Sequence, residues 1–118
     1  MMVGVEILLS KWGSAGGFSM ALSSAAEVLE SVRTESEPPE GISQELRALW
    51  LAKKGEWHAS HDIVNDIPSP MGSWIHAYLH VLEGDLGNAG YWYSKAGRPA
   101  RPPEEADDEW VELVEANL

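Results

Sequence analysis

Gly84-Asp85 constrains this chain more than any other feature, because it cuts the stretch WIHAYLHVLEGDLGNAGYWYSKAGR, Trp74 to Arg98, into two runs of helical periodicity. A glycine that tolerates the left-handed conformation ends one helix, and the acidic residue after it caps the next. The same device stands at Gly55-Glu56, a spacing of 29 residues earlier. The pattern predicts helical hairpins over residues 43–67 and 70–97, with antiparallel neighbours joined by short turns.

The flanking residues supply the remaining stops and starts. Ser43 is placed to cap QELRALWLAKK, whose Lys53-Lys54 end suits the negative pole of a helix. Trp57, His61, Val64 and Ile67 follow at helical intervals until Pro68 stops the run. Ser69-Pro70 is a capping side chain followed by proline in the first helical position, and starts a fourth helix that runs to Glu83. Asp85 caps a fifth, LGNAGYWYSKA, which Gly97 ends. Gly87 and Gly90 inside it each cost about 1 kcal/mol in helix propensity, so close packing against a neighbouring backbone is expected there. Upstream, Leu22, Ala25, Ala26, Leu29 and Val32 mark a helix between Ser19 and Arg33, with Ser24 and Glu27 as a capping box. TESEPPEG, residues 34–41, reads as an acidic linker, and GRPARPP, residues 97–103, as an extended one. Residues 104–117 form a covering helix, acidic in its first turns, with Trp110, Leu113 and Val114 as a narrow apolar stripe. Residues 1–18 read as an ill-ordered leader, since Glu6 interrupts the apolar run and no positive charge precedes it, against the pattern of a signal peptide. The expected architecture is therefore all-α, a single domain over 19–118 of five to six helices.

With 118 residues and no cysteine, the chain has room for one modest core and no thiolate chemistry. The absence of cysteine suits a reducing cytoplasm. A net charge of −11, from 19 acidic and 8 basic residues, repels phosphate backbones and anionic membranes, so neither nucleic acid nor a membrane is an expected partner. Six tryptophans mark core positions or a binding surface.

The two hairpins align with one another. KKGEWHASHDIVNDI and LEGDLGNAGYWYSKA share a glycine, an acidic and an apolar residue at the corner, then a small residue (Ser60, Ala89), a larger one (Val64, Tyr93) and a further apolar one (Ile67, Ala96). Ala48 and Ala77 hold the small packing position of the preceding helices. Over about residues 42–102 this resembles the tetratricopeptide repeat, with a spacing of 29 residues in place of 34 and Gln44 where the first signature tryptophan belongs. The resemblance implies a right-handed stack of helical hairpins that binds a protein or peptide. The block WIHAYLH-x2-EGD-x2-NA-x-YWY-x2-AGR also resembles a group of small uncharacterised bacterial proteins, which implies a bacterial source and no particular activity.

In the repeat register Leu49, Met71, Trp74, Tyr78 and Val81 line a concave side suited to a helix or an extended peptide. The reading this favours is a non-enzymatic protein- or peptide-interaction module, with a second copy of the chain among the candidate partners. That face is open only if the terminal helices do not fill it.

His76, His80 and Glu83 share a helix face at i, i+4 and i+7, and His61 on the preceding helix can complete a set of three imidazoles and a carboxylate for a divalent metal such as zinc. This is the second reading: a divalent-metal-binding protein or small metal-dependent hydrolase. Against it stand two blander ones. The face is a solvated polar stripe, or His76 and His80 join Asn88 and Tyr91 in a polar network that fixes the helix pairing. Lys95, Arg98 and Arg101 can hold a carboxylate or phosphate, although pairing with the acidic 104–109 run is the simpler expectation. No nucleophile, phosphate loop or carboxylate pair is set for catalysis.

Overall fold

The computed structural model describes residues 22–118, so the leader over 1–18 and any helix start at Ser19 lie outside the described residues. Four capping side chains set the helix starts. Ser24, Ser43, Ser69 and Asp85 each accept the backbone N–H three residues on, at 3.0–3.2 Å. They open α1 (Ala25–Thr34), α2 (Gln44–Lys54), α4 (Pro70–Leu82) and α5 (Leu86–Ala96). Glu27 closes the first cap, although its carboxylate takes the N–H of Ser23 at 2.7 Å, not that of Ser24.

The two glycine corners are where the sequence puts them. Gly55 (φ 93°) ends α2 and leads into α3 (Trp57–Val64), and Gly84 (φ 85°) links α4 to α5. Gly97 (φ 72°) ends α5 in the same left-handed conformation. α3 is shorter than its periodicity predicts, because a turn through Asn65-Asp66 leaves Ile67 outside the helix. After the extended segment, a 3-10 turn (Pro103–Glu105) runs into α6 (Ala106–Ala116). Among the described residues there is no β-strand, and no helix is long and apolar enough to cross a membrane.

α2 packs on α3, α4 packs on α5, and α3 on α4 joins the two hairpins. Corresponding positions are buried in both: Ala48 and Ala77, Ser60 and Ala89, Val64 and Tyr93. α6 lies across α2 and α4, with α1 against α2 and α6. Indole N–H groups tie these layers together. Trp50 donates to Ser31 Oγ at 3.0 Å, Trp110 to the carbonyl of Leu49 at 2.9 Å, and Trp57 to the carbonyl of Leu79 at 2.7 Å.

The reason expected for the helix glycines is corrected. A methyl group added to Gly87 or Gly90 would meet nothing within 4 Å, so close packing does not account for them. The close approach is at Gly72, where an added Cβ would overlap the carbonyl oxygen of Ile67. That glycine lets the first turn of α4 press on the loop leaving α3.

Candidate metal centre

The concave face expected from the repeat register is not open. Leu49, Trp74, Tyr78 and Val81 are 0–4% exposed and Met71 is half-buried. α6 occupies that side, holding Leu49 through Trp110, Trp74 through a 2.9 Å bond from its indole N–H to Glu109, and Met71 through a 3.3 Å contact from the Asn117 amide to its sulfur. These residues are core, and the groove proposed for a peptide is filled by the chain itself. Lys95, Arg98 and Arg101 also separate. Arg101 pairs with Glu105 and Glu112, Arg98 lies 3.4 Å over the ring of Trp74, and Lys95 lines a cavity described below.

The polar stripe of α4 is not solvated except at Glu83. Ser73, His76 and His80 are 4–9% exposed, because α3 and α5 close over them. The structure brings His61, His76 and His80 together, with one ligand nitrogen from each ring inside a 4.8 Å span. His61 Nε2 and His76 Nε2 are 2.9 Å apart. Two imidazole lone pairs cannot face each other at that distance, so a cation or a shared hydrogen must stand between them. Tetrahedral coordination at about 2.0–2.1 Å needs nitrogens about 3.3 Å apart, so seating an ion requires this pair to open by roughly 0.4 Å.

The expected polar network is not formed. Asn88 is exposed and its backbone N–H goes to Asp85, while Tyr91 is 57% exposed and turned to solvent. What holds the imidazoles is aromatic. Trp92 stacks on His76 with ring centres 3.8 Å apart and planes 8° from parallel, and Trp57 stacks on His61 at 4.8 Å and 12°. His76 and His80 stack on each other at 5.0 Å. Trp57 is itself anchored by its bond to the backbone of α4 at Leu79, the residue before His80. Sequence reading passed over Trp57 as a site residue, although its i, i+4 relation to His61 was the available signal.

Glu83 is next to the cluster but not in it. Its carboxylate takes His80 Nδ1 at 2.7 Å, which commits that nitrogen and leaves Nε2 for the cluster. A carboxylate on the outer nitrogen fixes tautomer and ring orientation and raises the basicity of the inner one, as in carboxylate–histidine–metal triads. At His61 the outer partner is of the opposite kind: the Asn65 amide NH2, 3.4 Å from Nδ1, donates, which makes Nδ1 the acceptor and puts the ring hydrogen on Nε2, facing His76. His80, Glu83 and Asp85 form a second acidic group, but both carboxylates are exposed and Asp85 is engaged in capping α5.

Burial disfavours the imidazolium form of two of the rings. Burial, and then the neighbouring His61 and His80, hold His76 well below its ordinary value, at about 4. Burial and the charge of His80 likewise lower His61. Neutral imidazoles are the metal-binding form, so protons compete weakly here at neutral pH. A net charge of −11 further raises the local concentration of cations.

Sequence reasoning also missed Glu109, which it read only as one of the acids in the first turns of a covering helix. Glu109 is 0% exposed, and accepts from Trp74 and from the Tyr93 hydroxyl at 2.7 Å. Comparison with family models, with curated proteins and with solved structures returned no match to this chain.

Proposed function

We propose that the protein is a divalent-metal-binding domain whose ligands are the Nε2 atoms of His61, His76 and His80. The observation that carries this reading is the convergence of three imidazole nitrogens within 4.8 Å in a largely buried setting. Glu83 then serves as the orienting carboxylate of His80, and the Trp57 and Trp92 rings hold the other two planes. Three nitrogens of borderline softness favour a late first-row ion such as zinc. They leave a fourth position for water, the arrangement in which zinc lowers the pKa of its bound water to about 7. The two hairpins act as a repeat-like, right-handed stack, and the metal clamps the seam between them, with His61 on α3 and the other two ligands on α4.

The test is titration of metal-free protein with zinc by calorimetry, with metal analysis of the purified chain. One ion per chain binds, and saturation at a hundredfold excess over Kd adds about 2.7 kcal/mol to stability. That corresponds to roughly 10 °C or more in Tm for a domain of this size. His76→Ala and His80→Ala abolish the binding, and Glu83→Gln weakens it about 10–100-fold. Stoichiometric zinc retained at wild-type affinity by His80→Ala, or no stoichiometric zinc in the wild type, removes the proposal.

A further inference from the structure

A cavity of about 250 Å³ lies between the end of α3, the first turns of α4 and the outer half of α5. In a chain with 19 acidic residues, its wall contains no carboxylate among the described residues. It contains one basic residue, Lys95, which has no carboxylate partner among the described residues and whose ammonium stands 5.3 Å from the centre of the Trp92 ring and 5.7 Å from that of Tyr91. A lone cation lining a cavity of so acidic a protein, when acids are abundant elsewhere, is the inverse of what chance placement gives.

A second, independent feature sits in the same wall. Ser73 is only 9% exposed, lines the cavity, and its hydroxyl makes no hydrogen bond among the described residues. A buried hydroxyl without a partner costs roughly 1–3 kcal/mol, and a ligand oxygen reaching it removes that cost. The amide of Asn65 adds a further donor at the rim. The rest of the lining is apolar, from Val64, Ile67, Pro68 and the Trp92 ring. At this volume the cavity falls below the roughly 300–1,000 Å³ of drug-sized sites, so its ligand is small.

We infer that this cavity binds a small organic monocarboxylate, with its charge between Lys95 and Ser73 and a short apolar body on Val64, Ile67 and Pro68. One ammonium matches one negative charge, which favours a carboxylate over a phosphate dianion in a chain of net charge −11. The apolar floor favours a few-carbon tail over a bare ion. The site requires no metal; of the three proposed metal ligands only His76 lines it, together with Trp92 and Asn65, which flank that centre.

The experiment uses metal-free protein, titrated with butyrate, acetate, n-butylamine and inorganic phosphate while the Trp92 indole N–H is followed by NMR. Butyrate shifts that signal saturably, and acetate binds at least fivefold more weakly. Lys95→Met, an exposed position that leaves the core untouched, weakens butyrate at least tenfold, and Ser73→Ala weakens it severalfold. His80→Ala, which loses the proposed metal ligand, binds butyrate within twofold of wild type, so this result and the zinc titration fail separately. Shifts that never saturate, butylamine or phosphate binding as tightly as butyrate, or Lys95→Met binding like wild type would each overturn the assignment.

Discussion

Glu109 holds α6 on the rest of the molecule, and its removal should unlatch it. The carboxylate is fully buried and takes two donors from two other helices, the Trp74 indole of α4 at 2.9 Å and the Tyr93 hydroxyl of α5, which reaches both oxygens at 2.7 and 2.8 Å. Glu109→Ala leaves both donors buried and unpaired, at about 1–3 kcal/mol each, and opens a void between Trp74 and Tyr93. Relief of carboxylate desolvation offsets part of this. The net loss is about 3–4 kcal/mol, a large fraction of the roughly 5–15 kcal/mol that stabilises a domain. Glu109→Gln keeps the shape. Its carbonyl still accepts from Trp74 and its amide can donate to the Tyr93 oxygen, so it costs only about 1–2 kcal/mol. Tyr93→Phe removes one donor and costs about the same.

Urea unfolding followed by tryptophan fluorescence measures all three, and the double mutant Glu109→Ala/Tyr93→Phe closes the cycle. Because Tyr93 has no partner once Glu109 is gone, the double mutant should be less destabilised than the sum of the singles by about 1–2 kcal/mol. A Glu109→Ala loss below about 1 kcal/mol, or singles that add within about 0.5 kcal/mol, would refute the claim that this carboxylate latches the helix.

Three further measurements test the packing and the buried titratable groups. Gly72→Ala should destabilise by about 1–3 kcal/mol, since its methyl meets the Ile67 backbone, whereas Gly87→Ala and Gly90→Ala should each stabilise by about 0.5–1 kcal/mol; urea midpoints in which the three behave alike would contradict the geometry. His76 is held at about 4 in the folded state against an ordinary 6.5, so the unfolded chain takes up its proton first. Stability of the metal-free protein is therefore full above about pH 6.5 and declines as pH falls towards 4, a slope that flattens in His76→Gln. Tyr78 and Tyr93 are raised above their ordinary 10, by burial first in both cases, so stability is full below about pH 10 and is lost above it; absorbance at 295 nm should show both hydroxyls ionising only as the chain unfolds.

The hairpins were legible because their signals are local. Ser43, Ser69 and Asp85 cap the helix that follows immediately, and Gly55 and Gly84 turn whatever precedes them, so neither needs knowledge of distant residues. His61, His76 and His80 were legible as a set for the same reason, being spaced on two consecutive helices. What α6 does was not. Its contacts with Leu49, Trp74 and Met71 span 35 to 61 positions of chain, and periodicity says which face of a helix is apolar but not what covers it. Glu109 shows the limit most sharply. In sequence it is one of a run of five acids beginning a helix, all equally suited to the helix dipole, and only the packing of α6 on α4, within reach of the Tyr93 hydroxyl, selects it for burial.

The histidines gather where the two hairpins meet, His61 on α3 and His76 and His80 on α4. His76 and His80 correspond, at the spacing of 29, to Arg47 and Leu51 of α2, and His61 corresponds to Gly90 of α5. In each hairpin the inward positions are small or apolar, as Ala48, Ala77, Ser60 and Ala89 are. The imidazoles replace that pattern only where the second helix of the first unit meets the first helix of the next. At such a seam polar side chains cost desolvation unless they satisfy one another, and three imidazoles converging there do so only if a hydrogen or a cation lies between their nitrogens. An ion at the centre would satisfy them, whereas leucine or alanine at the same positions would join the hairpins more simply if that were the only requirement. Replacing His61, His76 and His80 together by apolar residues should thus preserve or raise the stability of the metal-free fold and abolish zinc binding. Unfolding of that triple variant would mean that the histidines are structural glue.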